Sequence, residues 1–219
     1  DTALGFNAGV LYEFSPQTRA GITYHSKVKY TLEGDTKLSG AGFAGATGKY
    51  DASLDLDTPE SVDVSLTHEL NDQWTLYAGA MWTRWSRFRE IVIESPTNAA
   101  ASFREVTEEQ GWHDTRSFAA GLSYQLDKEW VLRSGVAFDP TPTNNAHRSP
   151  RIPSGDRYVW ALGAGYTPAS QPNLTLDLAY VYLQEEQVSV RKFEASKGTY
   201  NADYNNNGHA LAAQATWRF

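Results

Sequence analysis

The stretch that decides the fold is "ALAAQATWRF", residues 210–219. Read as an extended chain, it places one set of apolar side chains on a single side, namely Leu211, Ala213, Ala215, Trp217 and Phe219. Small or polar residues occupy the other side, because successive side chains of a strand point to opposite faces. The pattern predicts a strand with one apolar face, and the rest of the sequence must decide what that face touches.

The same alternation recurs along the whole chain. The segments that carry it are 6–14, 19–28, 61–70, 74–85, 117–126, 129–138, 157–166 and 173–183. In "RYVWALGAGY" (157–166), for example, Tyr158, Trp160 and Leu162 alternate with Val159, Ala161 and Gly163. Together with the last stretch, these segments predict about nine strands.

The connections between these strands alternate in length. Tight turns are predicted at 15–19, 71–73, 127–129 and 167–173. Long polar segments are predicted at about 33–60, 94–113, 139–157 and 185–208. Short turns at one end and long loops at the other are typical of an antiparallel up-and-down β-barrel that spans a bacterial outer membrane. The fold class is therefore predicted to be all-β, with short periplasmic turns and long extracellular loops.

Composition narrows the functional classes. The net charge of −7 and the lack of a basic run argue against a nucleic-acid partner. Cysteine is absent and the five His stand singly, so no metal, cofactor or catalytic site is predicted. No apolar run is long enough for a membrane-spanning helix. We expect a protein that is not an enzyme.

A soluble meander or lipocalin-like barrel is the alternative fold. Two features count against it. Aromatic residues cluster near the strand ends, as in interfacial girdles. The opposite face is rich in small residues with occasional charges, which suits a crowded lumen better than a solvated surface.

The alternation assigns two sets of site residues. A girdle facing the membrane lipid is predicted at Tyr158, Trp160, Tyr180, Trp217 and Phe219. Charges facing the lumen are predicted at His25, Lys27, Asp63, Arg133 and Asp177. Charged groups are costly on a lipid face, so the barrel interpretation requires them inside. They either form salt bridges across the lumen or engage the headgroup of a substrate.

The segment 33–60 carries spaced apolar groups in an otherwise polar loop. They are Leu38, Phe43, Tyr50, Leu54 and Leu56. Exposed apolar groups on a loop that faces water need a reason. The capture of a hydrophobic ligand is one, and packing against a neighbouring loop is the other.

Several segments together resemble the FadL-type outer-membrane transporters of long-chain fatty acids and other hydrophobic compounds. They are "GFNAGVLYEFSPQTRAGITYHSKVKYTLEGD" (5–35), "TRWSRFREI" (83–91), "WVLRSGVAFDPTP" (130–142), "RSPRIPSGDRYVWALGAGY" (148–166) and the terminal aromatic strand. The resemblance implies a 14-stranded barrel, a plugging N-terminal hatch, and ligand passage through an opening in the wall.

The resemblance also implies that residues 1–219 are one domain, the C-terminal portion of such a barrel. The hatch and the first strands are absent from the sequence, so we expect a missing N-terminal part to complete the wall. The complete protein is expected to be a monomer in the outer membrane of a Gram-negative bacterium. Outer-membrane barrels resemble one another in ending on an aromatic residue, and Phe219 fits that pattern.

The resemblance bears on the ligand as well. The family places a basic residue, which meets the fatty-acid carboxylate, shortly before the strand that starts here near His113. Glu108 stands at about that place, and Arg104 could substitute for the missing base. Repulsion by Glu108 and Glu109 favours a neutral substrate. The predicted function is outer-membrane transport of long-chain fatty acids or other hydrophobic small molecules. The alternative is a structural or general-diffusion, porin-like barrel.

Overall fold

A computed structural model describes residues 1–43, 45–194 and 198–219, and it is almost entirely β-structure. The strands are β1 (Asn7–Ser15), β2 (Thr18–His25), β3 (Lys29–Leu38), β4 (Gly48–Asp57), β5 (Ser61–Glu69), β6 (Trp74–Thr83), β7 (Glu90–Glu94), β8 (Glu105–Glu109), β9 (Thr115–Gln125), β10 (Trp130–Asp139), β11 (Arg157–Tyr166), β12 (Leu174–Glu185), β13 (Val188–Glu194), β14 (Gly198–Tyr204) and β15 (Asn207–Trp217). Short 3₁₀ helices span Ala41–Phe43, Trp85–Arg87 and Ala101–Phe103. Within the described ranges, no helix has the length and apolarity needed to cross a membrane.

Nine of these strands form one antiparallel sheet. Its order is β1, β2, β5, β6, β9, β10, β11, β12 and β15, so each strand pairs with the next one of the set along the chain. This up-and-down arrangement confirms the predicted fold class and the nine predicted strands. The edge strands β1 and β15 do not pair with each other, so the sheet is not closed.

The tight turns at one end of the sheet are built from side chains that accept backbone hydrogen bonds. Asn71 Oδ1 accepts the amides of Gln73 and Trp74, each at 2.9 Å. Asp127 Oδ1 does the same for Glu129 and Trp130, each at 2.8 Å. Such turns form because Asn and Asp satisfy amides that the reversing backbone leaves unpaired. They set β6 and β10 directly beside their predecessors.

The nine-stranded sheet has no hydrophobic core of its own. Among the described residues, the buried apolar side chains are Leu38 and Val190, and both lie outside this sheet. Large apolar residues within the sheet are exposed instead, such as Leu162 at 62% and Leu211 at 73%. A continuous apolar surface of this kind is unfavourable in water and marks an interaction with a membrane or a partner.

The long connections contain strands that the sequence pattern did not predict. β3, β4, β7 and β8 form a four-stranded antiparallel sheet, here called the loop sheet, and β13 pairs with β14 in a hairpin. The prediction of polar loops missed them because one side of these strands is densely charged, which makes the segments as polar as loops. The sequence "KYTLEGDTKL" of β3 does alternate, with Tyr30 and Leu32 on one side and charged residues such as Glu33 on the other.

Candidate functional site

The strand register divides the nine-stranded sheet into two faces. Residues directly opposite in an antiparallel pair lie on the same face. The pairs run from Trp217 to Leu174, from Leu176 to Tyr166 and from Tyr166 to Trp130. The face that contains these residues is called the aromatic face, and the opposite one the small-residue face.

The aromatic face carries a row of neighbouring rings near one end of the strands. Ring centroids are 5.2 Å apart for Phe138 and Tyr158, 5.7 Å for Trp160 and Tyr182, and 4.9 Å for Tyr182 and His209. Tyr158, Trp160, Tyr180 and Trp217, all predicted in the girdle, lie on this face. Phe219 lies beyond the end of β15, so the strand pairing does not assign it to a face.

On the small-residue face, Arg133 and Asp177 form an ion pair at 2.9 Å. The two residues lie on β10 and β12, and they reach each other across Gly165 of the intervening strand. A Cβ atom at Gly165 would lie 2.8 Å from Asp177 Oδ1 and 3.0 Å from Arg133 Nη1. The glycine therefore makes the bridge possible.

The other predicted charges are paired too. Asp63 lies on the small-residue face with His25, whose Nε2 is 3.6 Å from its carboxylate. Lys27 lies beyond the end of β2 and contacts Asp57 at 3.0 Å, at the base of the loop sheet. The structure thus brings each predicted charge next to an opposite or polar partner.

A third network, which the sequence interpretation missed, lies at the loop end of the same face. Arg157 Nη1 is 3.3 Å from Asp139, and Arg157 Nε is 3.0 Å from Glu185. Ser117 donates a 2.6 Å hydrogen bond to Asp139. Arg157, Asp139 and Glu185 lie at the ends of their strands, on the side that carries small or polar residues. That position in the alternating sequence could have indicated the network.

Between these networks the small-residue face is lined mainly by glycine and alanine, with Tyr77 and Val159 among them. A shallow cavity of about 370 Å³ lies there, against Gly79, Gly121, Gly135, Ala137 and Ala161. Because these residues have little or no side chain, this part of the sheet leaves open space beside an uncharged surface. Such a surface can accept an apolar molecule without removing water from any charge.

The apolar residues of segment 33–60 pack within the loop sheet and its connections. Leu38 is buried, and Leu54 and Leu56 pair with Leu32 and Tyr30. The other two residues, Tyr50 and Phe43, make contacts through their side chains. Tyr50 donates to the carbonyl of Ala46, and the ring of Phe43 lies 5.4 Å from that of Phe103 in a neighbouring connection.

Arg104 and Glu108 both have polar partners, Arg104 within its own connection and Glu108 in another loop. Arg104 Nε donates a 2.9 Å hydrogen bond to the carbonyl of Asn98. Arg151 Nη1 is 2.9 Å from the carboxylate of Glu108, and His147 Nδ1 is 3.6 Å from that of Glu109. The expected repulsion of a ligand carboxylate by Glu108 is therefore offset, because Arg151 in the loop 140–156 neutralises the charge of Glu108.

The loop 140–156 surrounds a buried cation. Arg148 is 7% exposed, and its desolvation lowers the pKa of the guanidinium, although Asp156 and Glu186 oppose the shift. Its Nη1 donates to Asn145, while its Nε has no hydrogen-bond partner within the described ranges. Thr141 and Thr143 also donate to the carbonyl of Ser154.

Glu60 joins the loop connections to the nine-stranded sheet. It is 6% exposed and accepts hydrogen bonds from Arg84 at 3.0 Å and from Arg87 at 2.7 Å. The bond from Arg87, working against desolvation, lowers the pKa of Glu60 to about 2. The carboxylate therefore stays ionised and holds the ends of β5 and β6 together.

No group of three or more potential metal-ligating side chains occurs among residues 1–43, 45–194 and 198–219. The small-residue face and the loops next to it are the candidate surfaces for a transported ligand.

The sequence matches one family along its whole length. The model of the family described as outer membrane protein transport protein (OMPP1/FadL/TodX) matches residues 1–219. The long-chain fatty acid transport protein of Escherichia coli O6:H1 is 30% identical over 218 residues, covering 94% of this chain and 47% of that protein. Outer membrane protein P1 of Haemophilus influenzae is 32% identical over 188 residues, covering 86% of this chain and 39% of that protein.

Solved structures share the fold. A Pseudomonas aeruginosa FadL homologue superimposes with a TM-score of 0.86 at 30% identity, covering 97% of this chain and 52% of that one. The P. putida toluene transporter TodX gives a TM-score of 0.67 at 18% identity, covering 99% of this chain and 49% of that one. The chain spans about half the length of the relatives it matches.

Proposed function

The chain belongs to the OMPP1/FadL/TodX family of outer-membrane transport proteins, and we propose that its parent protein carries hydrophobic small molecules across the outer membrane. Long-chain fatty acids are one candidate cargo and neutral hydrocarbons are the other. The E. coli relative is a long-chain fatty acid transport protein and the P. putida neighbour a toluene transporter, which supports both classes.

The arrangement of charge on the small-residue face carries this proposal. Several of its charged groups have partners, in the contacts Arg133–Asp177 and His25–Asp63 and in the network around Arg157. The surface between them is mainly glycine and alanine, with Tyr77 and Val159. An apolar solute could move along this part of the sheet without meeting a charge. A general-diffusion pore, in contrast, would present an open lumen charged throughout.

We infer that the aromatic face meets lipid, so that Tyr158, Trp160, Tyr180 and Trp217 form an interfacial girdle together with Phe219. Aromatic rings are favoured at membrane interfaces, and exposed residues such as Leu162 and Leu211 are favoured in hydrocarbon. The small-residue face then lines the lumen. Residues 1–219 would form one domain, completed by an N-terminal part whose strands pair with β1 and β15 in a monomeric barrel.

We also propose that the loop residues receive the ligand before it enters the lumen. The candidate contacts remain Leu38, Phe43, Tyr50, Leu54, Leu56 and Arg104. Their present packing supports a preformed apolar cluster more than an exposed patch. Since Arg151 offsets Glu108, a fatty-acid carboxylate is not excluded by charge at that point.

Uptake into liposomes that contain the full-length protein tests the proposal. The cargoes would be oleate, toluene and a small hydrophilic sugar. Gly79→Leu narrows the small-residue face, and a Cβ atom at that position meets no atom closer than 3.8 Å. Ala80→Leu changes the neighbouring residue on the aromatic face and serves as the matched control.

We expect Gly79→Leu to slow the uptake of the hydrophobic cargoes several-fold and Ala80→Leu to leave it unchanged. Sugar that enters as readily as the hydrophobic cargoes would favour the porin-like alternative and reject the transporter. Equal uptake by both variants would reject the small-residue face as the path.

A further inference from the structure

We propose that arginines at the loop end of the aromatic face, together with the apolar depression below them, bind a phosphate-bearing, multiply acylated lipid of the outer leaflet. The inference rests on the proposed orientation, in which the aromatic face meets lipid. It adds a specific lipid site, on the side of the wall opposite the transport path.

Arg116 is the first observation. It lies within β9 directly opposite Trp82 of β6, so it belongs to the aromatic face. It is exposed, and its side chain has neither a hydrogen bond nor an ion pair in the part of the chain that the structure describes. An unpaired cation on a face that otherwise meets lipid is costly unless an anion accompanies it.

Further arginines lie beside Arg116, at the level where the strands enter the loops. Glu60 stands just before β5 and Arg84 just after β6, and the Arg84 amide donates a 2.9 Å hydrogen bond to the Glu60 carbonyl. The alternation places them on the same side as Trp82. Glu60 is shared between Arg84 and Arg87, so one carboxylate serves two guanidinium groups.

The charge count of this region is positive. Besides the shared Glu60, the acids that face it are Asp114, which accepts a hydrogen bond from the Ser86 amide, and Asp57, which is paired with Lys27. Four cations therefore face three carboxylates; they are Arg84, Arg87, Arg116 and Lys27 against Glu60, Asp57 and Asp114. That excess suits a phosphate, which guanidinium groups bind with charge-assisted hydrogen bonds.

The second observation is a depression on the same face of the same strands. It has a volume of about 800 Å³, and its floor is formed by Ala78 and Ala120 between larger apolar neighbours such as Leu76 and Leu122. Ala120 lies four residues from Arg116 along β9, or about 13 Å at about 3.3 Å per residue. A group of arginines at one end, with an apolar depression below it, matches the layout of an anionic lipid, whose charged headgroup is joined to apolar chains.

Lipid binding by the detergent-purified full-length protein tests the proposal, measured by native mass spectrometry. The probes are hexa-acylated lipid A with two phosphates, the same lipid without phosphates, and inorganic phosphate. The test variant is Arg116→Gln. The matched control is Arg19→Gln, because Arg19 is also an exposed strand arginine but lies on the small-residue face.

We expect Arg116→Gln to weaken binding of the phosphorylated lipid roughly tenfold, as the loss of one charge-assisted hydrogen bond predicts. Arg19→Gln should leave that binding unchanged, and neither variant should affect the dephosphorylated lipid. Ala120→Leu, which fills the depression, should weaken binding of both lipids, whereas Ala119→Leu on the other face should not.

Three results would overturn the proposal. The first is equal lipid binding by Arg116→Gln and the wild type. The second is inorganic phosphate competing as well as the lipid, which would indicate a free-anion site. The third is slower uptake of oleate or toluene by Arg116→Gln at unchanged lipid binding, since Arg116 would then line the path. Uptake by wild-type protein is measured separately, so a failure of the transport proposal remains distinguishable.

Discussion

The nine-stranded sheet and the loop sheet are both antiparallel, but they differ in the charges that their polar faces carry. In the nine-stranded sheet, apolar and aromatic residues occupy one face and small or polar residues the other. In the loop sheet, acids lie directly opposite acids, in the pairs Asp35–Asp51, Glu90–Glu109 and Glu94–Glu105. Such like-charge pairs destabilise a sheet.

The difference shows that the two sheets depend on different interactions. The nine-stranded sheet needs an apolar surrounding on one face, which membrane lipid supplies in the proposed orientation. The loop sheet depends on local contacts, such as the Phe43–Phe103 ring pair and the ion pairs of Lys49 and Arg151. Four substitutions test this distinction.

The largest effect is expected where a charge enters the aromatic face. Leu162→Arg should lower the free energy of unfolding in lipid vesicles by about 2–4 kcal/mol if it lies near the bilayer midplane. Ala161→Arg, one residue away on the small-residue face, should cost much less because its charge reaches water. Urea unfolding of the full-length protein, followed by tryptophan fluorescence, measures both. Equal costs would contradict the assignment of faces.

Glu60→Gln is expected to have the next largest effect, because it weakens the junction between the two sheets. The loss should be about 1.5–3 kcal/mol, the range for hydrogen bonds to charged groups. The folded pKa of Glu60, about 2, lies below the ordinary 4.5. Its contribution is therefore complete above about pH 4.5 and is lost as the pH falls through about 2. Glu33→Gln, on exposed β3, is the control, and a pH-independent difference from wild type would contradict this cause.

Phe43→Ala should loosen the loop sheet without affecting the nine-stranded sheet. Removing the edge-on contact with Phe103 is expected to cost about 0.5–1.5 kcal/mol beyond the lost apolar area. Amide hydrogen exchange would show faster opening of β4 and β7 and unchanged protection of β10 and β11. Phe193→Ala, at a ring that is 72% exposed, should leave exchange in the loop sheet as it is.

Arg151→Gln should have the smallest effect on stability, about 0.2–1 kcal/mol, because the arginine is exposed and such pairs are weak. Its effect on selectivity is expected to be clearer. With Glu108 no longer offset, uptake of oleate should fall relative to that of toluene. Low salt should enlarge the difference, since screening is then weaker. An unchanged ratio would show that the ligand passes elsewhere.

Much of the nine-stranded sheet could be predicted because apolar residues alternate with small or polar ones along each of its strands. Trp160, Leu162 and Tyr180 follow the period of two without interruption, and a slip of one residue would reverse every face. The loop sheet was not predicted. Its strand β3 does alternate, with Tyr30 and Leu32 on one side and Glu33 on the other, but the charged side makes the segment as polar as a loop.

The candidate site divides along the same line. Alternation placed Arg133, Asp177 and Asp63 on one face, but it could not show that Arg133 reaches Asp177 across Gly165. The prediction that Glu108 repels a carboxylate was incomplete for a similar reason. Arg151 lies 43 residues away along the chain and meets Glu108 only because two loops pack together.

Sequence alone thus predicted the nine strands of the main sheet, their two faces and the family, because these depend on local alternation and on segments in a known order. Only the tertiary structure decided which charges neutralise one another and that Glu60 joins the sheet to the loops. It also decided that Arg116 has no partner among the residues that the structure describes. Pairing of charges requires contact between side chains distant in sequence, and strand register and loop packing bring those side chains together.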